Sequence, residues 1–248
     1  MELNTYPLVC TRGVVLYPNQ EIVIDVGRDT SVHAVENAQD NYDKKICLFS
    51  QKELEQENPG KEDIYSVGTL CEVRHIRRFD NFLRVKFRGI KRVKLNNWIN
   101  GSLSDLAEVE ILESEKQDAV EEEALIRMIA DELDRMQGQD RFVTKEIVME
   151  ISKGMGGEFL SDKAVQGLPL DIERKQQYLE TLGVNDRLMM LLQDMAKEKK
   201  MSEVEQQINE TVKERIDQGQ KDYYLREKMN VIREELGDTV AQDEDAAK

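Results

Sequence analysis

The sequence predicts an α+β protein: a mostly antiparallel sheet rolled into a partial barrel with one short helix, then an all-helical part ending in a long helix. Three observations predict this. Three of the four prolines, Pro7, Pro18 and Pro59, fall in the first sixty residues, where a chain that turns often uses them. As far as about residue 112, apolar residues come in short runs or alternate with polar ones, as strands require. From about Asp118 they recur every three or four positions, the period of helices.

"PLVC" predicts a first strand and "EIVIDVG" a second. "RDTSVHAVENAQ" predicts a short helix, with Asp29, Thr30 or Ser31 available as its cap. "KKICLFSQ" is a continuous apolar run and reads as a buried strand. "ENPGKED" is a turn, because Pro-Gly between Asn and Asp punctuates a chain. "SVGTLCEVRHIRRF", "NFLRVKFRGI" and "KRVKLNN" predict further strands. Phe82, Val85 and Phe87 come close to alternating with Arg84, Lys86 and Arg88. Asp80-Asn81 predicts a hairpin turn, and Gly89 a bend or bulge. "LSDLAEVEILE" alternates again, which brings the expected total to about six strands.

In the helical part, "DAVEEEALIRMIADELDRM" places Ala124, Leu125, Met128, Ile129, Leu133 and Met136 on one face, behind an acidic first turn that suits the helix dipole. "FVTKEIVMEISKG" predicts a second helix. "GMGGEFLSDKAVQGLPL" holds a glycine-rich break, a short helix and Pro169, and "LDIERKQQYLETLG" another helix with Asp171 as N-cap. "VNDRLMMLLQDMAKEKK" opens a pattern that persists almost to Gly237. Met201, Val204, Ile208, Val212, Ile216, Gly219 and Tyr223 form a narrow stripe, continued by Leu225, Met229, Ile232 and Leu236. The average spacing is about 3.67 residues, nearer a straight helix than the roughly 3.5 of a left-handed coiled coil. A narrow stripe is marginal alone in water, so part of it is expected to pack on the preceding helices and part on another subunit, with Gly219 marking a bend. The expected organisation is a β-rich domain over 1–115, a helical subdomain over 116–183 and a long helix over 184–248 with a disordered tail from about 238.

The chain has 248 residues, 50 acidic and 35 basic side chains, and a net charge of −15. That charge disfavours general binding to nucleic acid or anionic membranes. No apolar stretch approaches the roughly 18–20 residues of a membrane span, and no secretory signal is visible at the N-terminus, so the expected location is cytoplasmic. Cys10, Cys47 and Cys71 are far apart and sit in apolar runs, and with His33 and His75 they lack metal-ligand spacing. They read as reduced core cysteines, and no metal or catalytic site is predicted.

From Cys71 to Lys94 there are nine basic residues against two acids, with Phe79, Phe82 and Phe87 interleaved. Arg74, Arg77, Arg78, Arg84, Lys86 and Arg88 are the candidate basic patch, since cations and aromatics on a sheet can bind single-stranded nucleic acid. The plainer reading is a solvated face neutralised by the acidic strand "DLAEVEILESE". Met189, Met190, Met195 and Met201, with Tyr223, Tyr224 and Met229, are the candidate surface for a substrate or partner, because methionine adapts to varied apolar contacts. Core packing is the plainer reading of the methionines. The glycines of "KGMGGEF" read as a helix connection, and the carboxylates of Glu121–Glu123 and Asp131–Asp134 as solvated helix faces.

"QKDYYLREKMNVIREELGD" (220–238) resembles the segment that precedes the ATPase module in the Lon family of ATP-dependent serine proteases. "PLVCTRGVVLYPNQEIVIDVGRDTSVHAVENA", "SQKELEQENPGKEDIYSVGTLCEV" and "GLPLDIERKQQYLETLGVNDRL" are similar, in order, to the N-terminal region of the same family. "RRFDNFLRVKFRGI" departs from it, lacking the apolar-Pro-Asp-Gly-Thr hairpin and the Val-Glu-Gly of many members, and residues 114–168 match weakly. The resemblance implies a PUA-like pseudo-barrel, a helical subdomain and a long helix leading to an AAA+ motor. It also implies a truncated N-terminal region, with ATP and magnesium belonging to the motor and the peptidase lying further on. "NPGKED" has Glu55 where a phosphate loop needs its first glycine, so no cofactor is expected and neither ATP nor peptide hydrolysis. The expected partners are unfolded or damaged proteins and other copies of the chain, a hexamer in the full-length family. The alternative is a stand-alone PUA-like RNA-binding or adaptor protein.

Overall fold

A computed structural model describes residues 3–136 and 145–245. Six strands and a helix come first: β1 (Leu3–Thr11), β2 (Glu21–Val26), α1 (Asp29–Asn41), β3 (Lys45–Ser50), β4 (Val67–Arg78), β5 (Leu83–Ile99) and β6 (Leu106–Leu112). The sheet runs β2-β5-β4-β3-β1-β6, and β6 pairs with β5 as well, so five strands close on themselves while β2 lies on the outer half of β5. Every pairing is antiparallel except β1 with β3, in which Leu8 faces Cys47 and Thr11 faces Ser50. Parallel pairing needs a crossover, and α1 supplies it. β3 is buried on both faces, which is why its sequence is apolar without alternation.

"NFLRVKFRGI" and "KRVKLNN" form one strand rather than two. β5 changes partners at its centre: Leu83–Arg88 pair with β2, and Arg92–Ile99 with β6. The change is made at a bulge, where Leu70 pairs with Lys91 and Cys71 with Gly89. Gly89 is required there. Its N–H donates to Gln20 O and its carbonyl accepts from Asn19 N, both at 2.9 Å, and a Cβ would lie 2.2 Å from Tyr17 O. The hairpin tip falls at Asp80-Asn81, closed by Phe79 N–H donating to Phe82 O at 3.0 Å. α1 starts one residue earlier than a side-chain cap would place it: Arg28 is the N-cap and gives no cap hydrogen bond, while Asp29 is already helical.

The helices are α2 (Ala119–Met136), α3 (Lys145–Ser152), α4 (Gly157–Gly167), α5 (Ile172–Glu180) and α6 (Val184–Asp245). α2 buries Leu125, Ile129 and Leu133, while Ala124 and Met128 are exposed. Its inner stripe is therefore shifted toward Glu122 and Ile126. The side chain of Met136 and the start of "FVTKEIVMEISKG" lie outside the described residues. Asp171 caps α5, accepting from Arg174 N–H at 2.7 Å. Glu122 serves α4 from α2, accepting from Gly157 N–H at 2.9 Å.

The chain divides into two compact units, 1–195 and 196–248. The first contains the barrel, α2–α5 and the start of α6. Two apolar clusters line the two faces of the sheet, one of them closed by Ala34, Val35 and Ala38 of α1. A third joins Val15, Tyr17 and Val67 to Leu125, Ile129, Leu160, Tyr178, Leu188 and Leu191. The barrel and the helices thus share a core. Tyr17 Oη donates to Lys175 O and Gln176 Nε2 to Val67 O, at 2.7 and 2.8 Å. The second unit is the continuation of α6, helical through Gly219 and as far as Asp245. "TVAQDED" contains no helix-breaking proline, which is compatible with helix as far as Asp245.

Candidate functional site

The basic stretch forms the β4–β5 hairpin, and its charges are largely matched. Arg84 clasps Asp25 with two bonds of 2.7 Å, Lys86 meets Glu21 at 2.7 Å, and Arg74 meets Glu72 at 3.2 Å. Arg78 bonds to Glu36 of α1. These bonds hold the Asp25 and Glu21 carboxyls below their ordinary values, through the hydrogen bond first. The neutralising acids were expected on "DLAEVEILESE", but most lie on β2 and α1. β2 covers the half of β5 that carries Arg84 and Lys86, while β6 covers the other half. Lys91 reaches toward the expected strand, with Glu113 at 2.8 Å. Arg77 and Arg88 have no carboxylate within ion-pair distance among the described residues. Phe79 and Phe82 stack at 4.7 Å, and Arg77 and Arg84 lie over the Phe79 ring at 5.1 and 5.3 Å.

Arg92, from the same stretch, is only 1% exposed and serves the core. Its Nη2 donates to Asp162 Oδ1 at 2.5 Å and its Nε to Leu179 O at 3.1 Å. Arg187, fully buried, donates to Thr181 O at 3.0 Å and Ser161 Oγ at 3.2 Å, and its Nε lies 3.9 Å from Asp162. Burial pushes the Asp162 carboxyl up, against the pull of Arg92 and Arg187, and burial together with Arg92 brings Arg187 down to about 10. The cluster ties β5 to α4, α5 and the start of α6. Sequence reasoning missed it because a buried charge has no periodic signature.

The candidate apolar surface separates into two groups. Met195 is 1% exposed and belongs to the shared core, so it is not a surface residue; it falls in register with Leu188 and Leu191 on the inner face of α6. Met190 is half-buried against that core and takes a hydrogen bond from Thr181 Oγ1, while Met189 is exposed. Met201, Tyr223, Tyr224 and Met229 are exposed, as are Val204, Ile208, Val212 and Ile216, the two isoleucines at 55% and 54%. Met195 is the last of these methionines in the shared core, and the stripe residues from Met201 onward are exposed.

"NPGKED" does not fit a triphosphate. Gly60 N–H is taken by Asp63 Oδ2 at 2.8 Å, Lys61 Nζ by Asn96 O at 3.2 Å, and Glu62 and Asp63 would repel the phosphates. Cys47 and Cys71 are buried and Cys10 half-buried, all reduced, and burial pushes the Cys10 thiol up to about 12. Among the described residues no group of three or more His, Cys, Asp and Glu could hold a metal ion, and no helix is long and apolar enough to cross a membrane.

The fold, a closed barrel sharing its core with a helical layer, is similar to that of two solved structures. The N-terminal domain of Mycobacterium avium complex Lon protease superposes with a TM-score of 0.63 at 19% identity, over 78% of this chain and 98% of that one. The corresponding domain protein from Xanthomonas campestris gives 0.54 at 16% identity, over 76% and 97%. Residues 5–197 match the family described as the ATP-dependent protease La (LON) substrate-binding domain, and the chain belongs to that family. It is 34% identical over 233 residues to the Lon protease of Brevibacillus choshinensis and 32% identical over 233 residues to that of Escherichia coli. Each alignment covers 94% of this chain and 30% of the relative, so the chain spans about 30% of the length of these curated relatives.

Proposed function

We propose that this chain recognises substrates for an ATP-dependent protease and helps to arrange its subunits. The observation that carries the reading is the match to a substrate-binding family across 5–197. The substrates are unfolded or damaged polypeptides, met in the cytoplasm. The assembly is a homo-oligomer, a hexamer in the whole protease, whose AAA+ motor would bind ATP and magnesium.

The open stripe on α6 gives this reading a physical basis. Burying each Ile, Val or Met against an apolar segment contributes about 1.5–3 kcal/mol, while the unfolded chain loses conformational entropy as it docks. The balance is modest affinity and repeated engagement, which suits a protein that hands substrates onward. Nucleic acid is disfavoured as partner, because four of the six candidate basic side chains already meet carboxylates.

The test is a titration of the chain with a fluorescently labelled protein, reduced and denatured, and with the same protein in its native fold. The denatured form should bind and the native form should not. Equal binding of both, or binding of neither, would overturn the reading.

A further inference from the structure

A cavity of about 320 Å³ opens where β1, β2 and the N-terminus of α1 meet, walled by Cys10, Arg12, Ile24, Val26, Arg28 and Ser31. That volume is at the lower end of the range for ligand pockets, about 300–1,000 Å³. Both guanidiniums are held by neutral acceptors. Arg28 donates to Gln51 Oε1 at 2.5 Å and to Cys10 O at 3.5 Å, and Arg12 to Gln56 O at 3.2 Å. Among the described residues neither has a carboxylate within ion-pair distance. The two cations are near enough that Arg12 joins burial in lowering the pKa of Arg28.

The N-terminus of α1 adds to the same field, since no side chain caps it and its first N–H groups carry partial positive charge. Ser31, in the first turn of α1, is 7% exposed and lines both this cavity and an adjoining recess of about 150 Å³, which places a hydroxyl beside the two guanidiniums.

We propose that this cavity is a carboxylate subsite for polypeptide, in which one carboxylate of an extended segment accepts from Arg28, Arg12 and the Ser31 hydroxyl. The inference rests on the polypeptide-recognition reading above and deepens it. Ile24 and Val26 offer apolar contact to the residue beside that carboxylate. A monoanion fits better than a phosphate dianion. Asp25 lines the cavity, committed to Arg84, and Glu57 and Asp105 line the recess, so the positive charge is limited. The carboxylate has two sources in a polypeptide, an acidic side chain or the terminal α-carboxylate.

The experiment measures binding of three fluorescent apolar peptides of about twelve residues by anisotropy. One is amidated with a central Asp, one is amidated with Asn in its place, and one has the Asn with a free C-terminus. At least one carboxylate peptide should bind about tenfold more tightly than the neutral one, as charge-assisted hydrogen bonds allow, and the better of the two identifies the source. The gain should vanish in Arg28→Gln. It should fall several-fold in Arg12→Gln, whose exposed side chain makes one backbone contact and can be changed without disturbing the core. Equal binding of all three peptides would overturn the subsite and leave polypeptide recognition standing. Binding of none would overturn both. Displacement of the Asp peptide by inorganic phosphate at lower concentration than by acetate would overturn the choice of carboxylate.

Discussion

Arg92 and Arg187 are held apart from water with a single fully buried carboxylate between them, Asp162. Removing one partner of such a group costs far more than the group contributes net, because the remaining charges stay buried without compensation. Asp162→Asn keeps the shape and removes the charge, so it should destabilise the first unit by about 3–5 kcal/mol, read as a lower denaturant midpoint in chemical unfolding. A loss below about 1 kcal/mol would mean that water compensates the two guanidiniums, contrary to their burial. The sequence offered little at this scale. Arg92 sits among eight other basic residues, and nothing in its neighbours separates it from surface-lying Arg84 or Arg88. Their difference is made by α4 and α6, far along the chain. Asp171, by contrast, was legible as a cap because the cap and the N–H it serves lie three residues apart.

Elements were legible where their period was local. The order of strands and helices, the Asp80-Asn81 turn and the bend at Gly89 follow from patterns a few residues long. The closure of β6 onto β5, the parallel pairing of β1 with β3 and the single long β5 depend on contacts between distant segments, which no window contains. The inner face of α2 was misjudged at Ala124 and Met128 because helix faces one residue apart look alike to periodicity. Gly89→Ala tests the bulge: its Cβ would collide with the Tyr17 carbonyl, so the variant should lose about 1–3 kcal/mol. Gly219→Ala is its counterpart. A Cβ there meets nothing within 4 Å, and helicity by circular dichroism should be maintained or rise, by a propensity gain of about 1 kcal/mol. A melting temperature unchanged by the first or lowered by the second would contradict these assignments. For the open stripe of α6, Ile208→Asp with Ile216→Asp should leave the melting of the first unit unchanged, since both side chains are exposed, and should weaken self-association in sedimentation. A fall in melting with association intact would show the stripe to be packed within one chain.

At the scale of the whole molecule, two opposite features decide what the chain binds. It carries a net charge of −15, which opposes polyanions at long range, and it exposes apolar side chains along α6. The candidate basic patch does not reverse this, because four of its six cations lie against Glu21, Asp25, Glu36 and Glu72. The family was legible from ordered segments spread along the chain, whereas the surface was not, because Met195 and Met201 look alike until the core is placed. The account's central claim is that unfolded polypeptide is bound chiefly by apolar contact. The most direct measurement is the affinity for reduced, denatured protein, with single-stranded RNA in parallel, as salt is raised from about 0.05 to 0.5 M, where screening removes most exposed charge attraction. The account predicts that the polypeptide retains most of its affinity throughout, any loss being confined to its carboxylate contacts, and that RNA binds weakly at every salt concentration. Tight RNA binding that collapses with salt, with no preference for the denatured protein, would contradict it.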